Sequence, residues 1–250
     1  MRGNASNRIV FLSVPESLRG QVEAGGSFSI DPAIPIPVEL APGETNLDLE
    51  RLSWEMILSG MIRVIGEDPG GEDADYYRGF VLSVKPDILR ELTGAAFLKA
   101  DNGDYELAQE ILAALTGLFP HAPEVLLNRA LIAENHAETL ARSGREAEAE
   151  GENAAVRGLY EELLRRDPPY PNGFFNAGFF FIRLKDFSRA RECFSAYIPL
   201  ADNGEKKEQA EALVREIKDR ELDDEEFRAA YDHIRRGEEE KGLPRIRSFL

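Results

Sequence analysis

One set of residue spacings recurs along this chain and restricts what it can fold into. Asp104-Tyr105, Ala108 and Leu112 are matched 82 residues later by Asp186-Phe187, Ala190 and Phe194. Pro120, Pro123, Leu126, Asn128 and Ala130 are matched 48 residues later by Pro168, Pro171, Phe174, Asn176 and Gly178. The offsets are linked, because 82 is 34 plus 48 and 48 is 34 plus 14. A 34-residue unit present three times, with 14 extra residues in the middle copy, satisfies both. A period of this length is the mark of stacked helix pairs, each unable to bury its apolar face alone. The pattern predicts an all-α chain.

The first unit covers about 87–120, with helices over Asp87–Ala100 and Asp104–Phe119 and a turn at Asn102-Gly103. The second covers about 123–168, and its turn falls at Ser143-Gly144, so the insertion divides as seven and seven residues. Seven residues lengthen a helix by about 10 Å at ~1.5 Å per residue. The middle hairpin therefore extends beyond its neighbours, with the acidic tip Arg145–Glu150. The third unit, about 171–200, is aromatic, with Phe174, Phe175, Phe179, Phe180, Phe181, Phe187, Phe194 and Tyr197.

Four regions follow: an extended Pro/Gly-rich segment over 1–48, a divergent capping helix pair over 49–86, three repeats over 87–204, and C-terminal helices with a partial repeat over 205–250. In the first, Ile34, Ile36, Val38 and Leu40 alternate with Pro35, Pro37 and Glu39. Period two with interleaved prolines predicts an extended strand with one apolar face, outside the centre of any sheet. In the second, Asn46 or Asp48 caps a helix carrying Leu49, Leu52, Met56, Ile57, Gly60 and Val64, and a second helix runs from about Asp75 to Val84. In the last, a helix over Glu205–Glu221 has one stripe of Ala210, Leu213, Val214 and Ile217. Asp223 or Asp224 starts another, with Phe227, Ala230, Tyr231 and Ile234, and Glu238–Leu250 adds Leu243, Ile246, Phe249 and Leu250.

Lys plus Arg number 30 against 46 Asp plus Glu, a net charge of −16. That sign argues against nucleic acid, whose phosphates require a basic surface, and against anionic membranes. No run of 18 apolar residues is present to span a bilayer. The apolar stretch Ile9–Ser13 is too short for a secretory core, so a cytoplasmic location is expected. One cysteine, Cys193, excludes an intrachain disulfide. No Gly-rich phosphate loop, His-Glu-x-x-His or Gly-x-Ser-x-Gly occurs. His121, His136 and His233 are scattered, and Glu134, His136 and Glu138 splay around a helix. Neither catalysis nor a metal or cofactor is expected.

The repeated residues resemble the tetratricopeptide repeat family. The resemblance rests on Gly103, Asp104, Tyr105, Ala108, Leu112 and Pro120; on Leu126, Asn128, Ala130, Val156, Tyr160 and Pro168; and on Phe174, Asn176, Gly178, Phe181, Ala190 and Phe194. It covers 87–200 well and 201–250 loosely; Asp202 replaces the terminal proline of the third copy and Val156 a small residue of the second. It implies a right-handed superhelix whose concave face, lined by the first helix of each pair, binds a protein or peptide. On that face the expected contacts are Asn128 and Asn176, with Phe175, Phe179 and Ile182 as an apolar strip opposite the buried Phe174, Gly178 and Phe181. Arg129 and Arg183 would add a positive edge. Thr93, Leu127 and Phe175 stand where clamps for acidic C-terminal tails carry charge, which argues against that ligand. The function expected is a non-catalytic interaction scaffold or adaptor. Alternatives are a secretion or assembly chaperone, and a self-inhibited module whose Ile34–Leu40 strand fills its own groove.

Overall fold

The computed structural model describes residues 8–15, 23–24, 28–202, 204–235 and 240–241. It is mostly helical and divides into two compact units, Met1–Leu159 and Tyr160–Leu250, which part inside a helix. The division thus falls within the span expected as one repeat array.

The first unit begins with β-structure. Strand β1 (Ile9–Leu12) pairs antiparallel with β4 (Ile36–Glu39), placing Val10 opposite Val38 and Leu12 opposite Ile36. A short ladder joins β2 (Glu23–Ala24) to β3 (Phe28–Ser29). The Leu40 amide donates to the Arg8 carbonyl at 2.8 Å. Since hydrogen-bonded pairs alternate along an antiparallel ladder, the bonds fall at residues 36, 38 and 40. Pro35 and Pro37 direct their backbone away from β1, so their missing N–H groups cost the ladder nothing. The Tyr77 hydroxyl donates to the Pro35 carbonyl at 2.8 Å. Ile36, Val38 and Leu40 are buried.

Among the described residues, six α-helices complete this unit: α1 (Trp54–Glu67), α2 (Ala74–Val84), α3 (Ile88–Asp101), α4 (Tyr105–Leu118), α5 (Pro123–Arg142) and the first part of α6 (Glu146–Leu164). The helix expected from Leu49 starts at Trp54 instead. Asp48 caps only a 3₁₀ turn, Leu49–Arg51, and the Ser53 hydroxyl accepts the Met56 amide at the true start. β4 packs on α1, and α1 packs on both α2 and α4. The apolar strand pictured in a groove of its own therefore lies against α1. The core joins Val38, Met61, Ile65, Phe80, Leu112, Leu115 and Ile132. Beyond it α3 packs on α4, α4 on α5, and α3 on α5. Ala96, Ala100 and Ala108, all buried, permit the close approach.

In the second unit the end of α6 is followed by α7 (Pro171–Arg183), α8 (Phe187–Tyr197) and α9 (Glu205–Arg235). α7 packs on α8, and α8 on α9. Gly178 fits under the Phe194 ring, whose atoms lie 2.5–2.8 Å from where a Cβ would sit. Tyr160 and Leu163 cover the other side of α7, the Tyr160 ring 5.2 Å from that of Phe180. α9 passes without a break through Asp223 and Asp224, where a new helix was expected. Its helical hydrogen bonds need no apolar partner, and Asp alone does not stop a helix as Gly or Pro does. Of the last expected segment, residues 238–239 and 242–250 lie outside the described residues, with Leu243, Ile246, Phe249 and Leu250 among them.

Three helix pairs close with the same turn. The amide of Gly103 donates to the carbonyl of Ala100 and that of Asp104 to Lys99; Gly144 and Arg145 repeat this to Ala141 and Leu140; Lys185 and Asp186 repeat it to Ile182 and Phe181. This doubly bonded ending needs one residue in the left-handed region. Gly103 (φ 82°), Gly144 (φ 77°) and Lys185 (φ 59°) occupy it. Successive left-handed residues are 41 apart, 34 plus seven, so the insertion is shared equally across the middle turn. α5 has 20 residues and α6 has 19, against 14 each for α3 and α4.

Candidate functional site

The third pair's first helix is apolar on nearly every side, and its exposed residues lie on one stripe. Asn172, Asn176, Phe179 and Arg183, spaced four, three and four, are the residues of α7 that face outward or are half-buried along one line. Of the expected contacts, Asn176, Phe179 and Arg183 share this stripe, with Phe179 36% exposed. Ile182 flanks it, half-buried. Phe175 does not belong to it. It is 8% exposed, its ring 4.9 Å from Tyr197 and 5.1 Å from Phe179, with the Lys206 ammonium 5.4 Å above it. The expected apolar strip is thus core at one end, because Tyr197 of α8 and Lys206 of α9 close over Phe175. Phe174, expected to be buried, is half-exposed.

The Asn176 side-chain amide donates to the Asn172 carbonyl at 2.7 Å, one turn back in its own helix. That contact orients the side chain along the stripe. The Arg183 guanidinium lies 5.5 Å from the centre of the Phe180 ring, a cation–π distance.

Subtracting 48 carries the stripe to Glu124, Asn128, Leu131 and Asn135 on α5, which are half-buried or exposed in the structure. Asn128 falls on it as expected. Leu131, the counterpart of Phe179, was missed, although the repeat offset alone would have found it. Arg129 is not on this line. One residue further round the helix, it lines a hollow with Gln109, Ala133, Glu152, Ala155, Gly158 and Leu159, so it forms no positive edge beside Asn128.

This hollow, about 380 Å³, adjoins another of about 410 Å³ walled by Gly103, Asp104, Tyr105, Glu106, Gln109, His136 and Glu152. The Tyr105 ring stacks on His136 at 4.4 Å, and its hydroxyl donates to Asn135 Oδ1 at 2.7 Å. His136 Nδ1 lies 2.7 Å from Glu152 Oε1. The nearest acidic partner of His136 thus comes from α6 and is sixteen residues away in sequence. The Arg129 Nε is buried without a hydrogen-bond partner.

The Cys193 thiol is buried, which pushes its pKa up to about 11 against the smaller opposing effect of Arg189. Thiolate is therefore scarce near neutral pH. At the middle hairpin's tip, the Arg145 side-chain hydrogen bond holds the Glu148 carboxyl below its ordinary range. Among the described residues no three His, Cys, Asp or Glu side chains come together as a metal site, and no helix is long and apolar enough to cross a membrane. Comparison with protein-family models, with curated proteins and with solved structures finds no match.

Proposed function

We propose that the chain is a non-catalytic protein–protein interaction scaffold built from tetratricopeptide-like helix pairs, the building block of right-handed superhelices. The observation that carries this reading is the identical turn at Gly103, Gly144 and Lys185, closed by equivalent hydrogen bonds. Three hairpins made alike at a linked spacing are repeats, and repeats offer extended faces in place of a deep reacting pocket. The α7 stripe supplies what a bound peptide requires. The Asn176 amide can both donate and accept, and Phe179, flanked by Ile182, provides apolar area. Arg183 adds a charge for a carboxylate or carbonyl. On α5, Asn128 and Leu131 repeat the amide and the apolar residue. The acidity of the whole chain disfavours nucleic acid as the ligand.

The test is affinity capture with the wild type and with Asn176→Ala/Phe179→Ala, both shown by circular dichroism to be folded. Partners bound through this face drop out of the variant's set. Identical partner sets would remove the α7 stripe from the function.

A further inference from the structure

The two adjoining hollows of the first unit share Gln109 and Glu152 and form one groove, with α4 and α6 as walls and α5 as floor. Its floor runs from His136 to Arg129, seven residues of α5, or about 10 Å. Small side chains keep it open: Ala133 is buried in the floor, and a Cβ on Gly158 would meet nothing within 4 Å.

Its two ends differ in charge. Asp104 and Glu106 stand by the Tyr105–His136 stack at one end, and Glu152, shared by both hollows and held to His136 at 2.7 Å, lies between the ends. Arg129 stands at the other, with one guanidinium donor buried and unpaired. Gln109, between the ends, can donate to and accept from a peptide backbone. The Asp104 carboxylate already accepts the Leu107 amide at 3.4 Å as helix cap, but a carboxylate has further lone pairs to offer.

We propose that this groove is a docking site for an extended segment of a partner protein. A basic side chain of that segment sits between Asp104, Glu106 and Tyr105, and an acidic one sits beside Arg129. An extended chain advances about 3.3 Å per residue, so the two side chains are about three residues apart. The residues lining the site are other than those of the α5 and α7 stripes, though Asn135 of the α5 stripe accepts the Tyr105 hydroxyl. Opposite charges at the two ends fix the direction of the bound segment, because a reversed segment brings like charges together.

The test is selection from a displayed library of random nine-residue peptides on the intact protein. The wild type enriches peptides with a basic and an acidic residue three or four positions apart. Arg129→Gln removes the preference for the acidic residue, and Asp104→Asn/Glu106→Gln removes that for the basic one; Asn still caps α4. A selected peptide binds Arg129→Gln at least tenfold more weakly. Its amide-resonance shifts in the wild type centre on residues 103–109, 129–136 and 152–159. Absence of the paired preference, its survival in both variants, or shifts centred on α7 would overturn the proposal. The Asn176→Ala/Phe179→Ala protein retains this binding, which separates a failure here from a failure of the α7 face.

Discussion

Gly60 of α1 and Pro37 of β4 meet backbone to backbone. A Cβ on Gly60 would lie 2.7 Å from the Pro37 carbonyl carbon and 2.8 Å from the Val38 nitrogen. Neither can turn aside as a flexible side chain can. Gly60→Ala is therefore expected to destabilise the first unit by on the order of 2 kcal/mol, despite alanine's better helix propensity. Urea denaturation checks this; a midpoint unchanged or raised would show that strand and helix part easily.

Burial pushes the Tyr77 phenol up to about 12, and Asp73 and Tyr76 push the same way. A group whose folded pKa lies above its unfolded value stabilises the fold fully below the unfolded value. That contribution is lost as pH rises through the folded one. Stability is therefore expected to fall between about pH 10 and pH 12. Tyr77→Phe removes this part of the decline. Near neutral pH it costs about 1 kcal/mol through the lost bond to the Pro35 carbonyl. Urea titrations of both proteins across that range read the two effects, and parallel curves would rule out Tyr77 as the group responsible.

Lys185 holds φ 59° where the two other equivalent turns have glycine. A side chain in that region costs about 1–2 kcal/mol, which glycine's greater unfolded freedom offsets in part. Lys185→Gly is expected to stabilise the second unit by roughly 0.5 kcal/mol. Lys185→Val is expected to destabilise it, since a β-branched residue tolerates positive φ poorly. Thermal melts order the three proteins Gly, Lys, Val; any other order contradicts the turn.

Gly178 and Phe194 interlock, so Gly178→Ala is expected to destabilise the second unit by about 1–3 kcal/mol. Phe194→Leu creates space and has its own cost. The double variant is expected to be more stable than the sum of the two single losses predicts. A double-mutant cycle with additive effects would mean the ring moves freely.

Cys193 is expected to react with a disulfide reagent at pH 7.5 far more slowly than a free thiol, because it is buried and its pKa is raised. Labelling at the unhindered rate in the native protein, and no acceleration in urea, would refute this.

Local chemistry and the repeat spacing together determined where the hairpins turn. Asn102-Gly103 and Ser143-Gly144 were legible, because a helix ending in a left-handed glycine is a matter of a few neighbouring atoms. The equal division of the insertion follows from the same spacing. Helix starts and stops were less legible. Leu49 continues an apolar period but is 67% exposed, and the helix waits for the cap at Ser53. α9 runs on past Asp223, where no helix breaker stands.

Tertiary packing decided which face of each helix is open. α7 is apolar at nearly every position, so periodicity could not tell the face covered by α8 and α9 from the one left to solvent. Phe175 was drawn to Tyr197 and Lys206, leaving Asn172, Asn176, Phe179 and Arg183 outside. The groove of Gln109, Arg129, His136 and Glu152 was equally out of reach. Its lining comes from three helices, and its side chains meet only because α4, α5 and α6 come together there. Spacing within one helix sets which residues share a line; only the neighbouring helices set whether that line is buried.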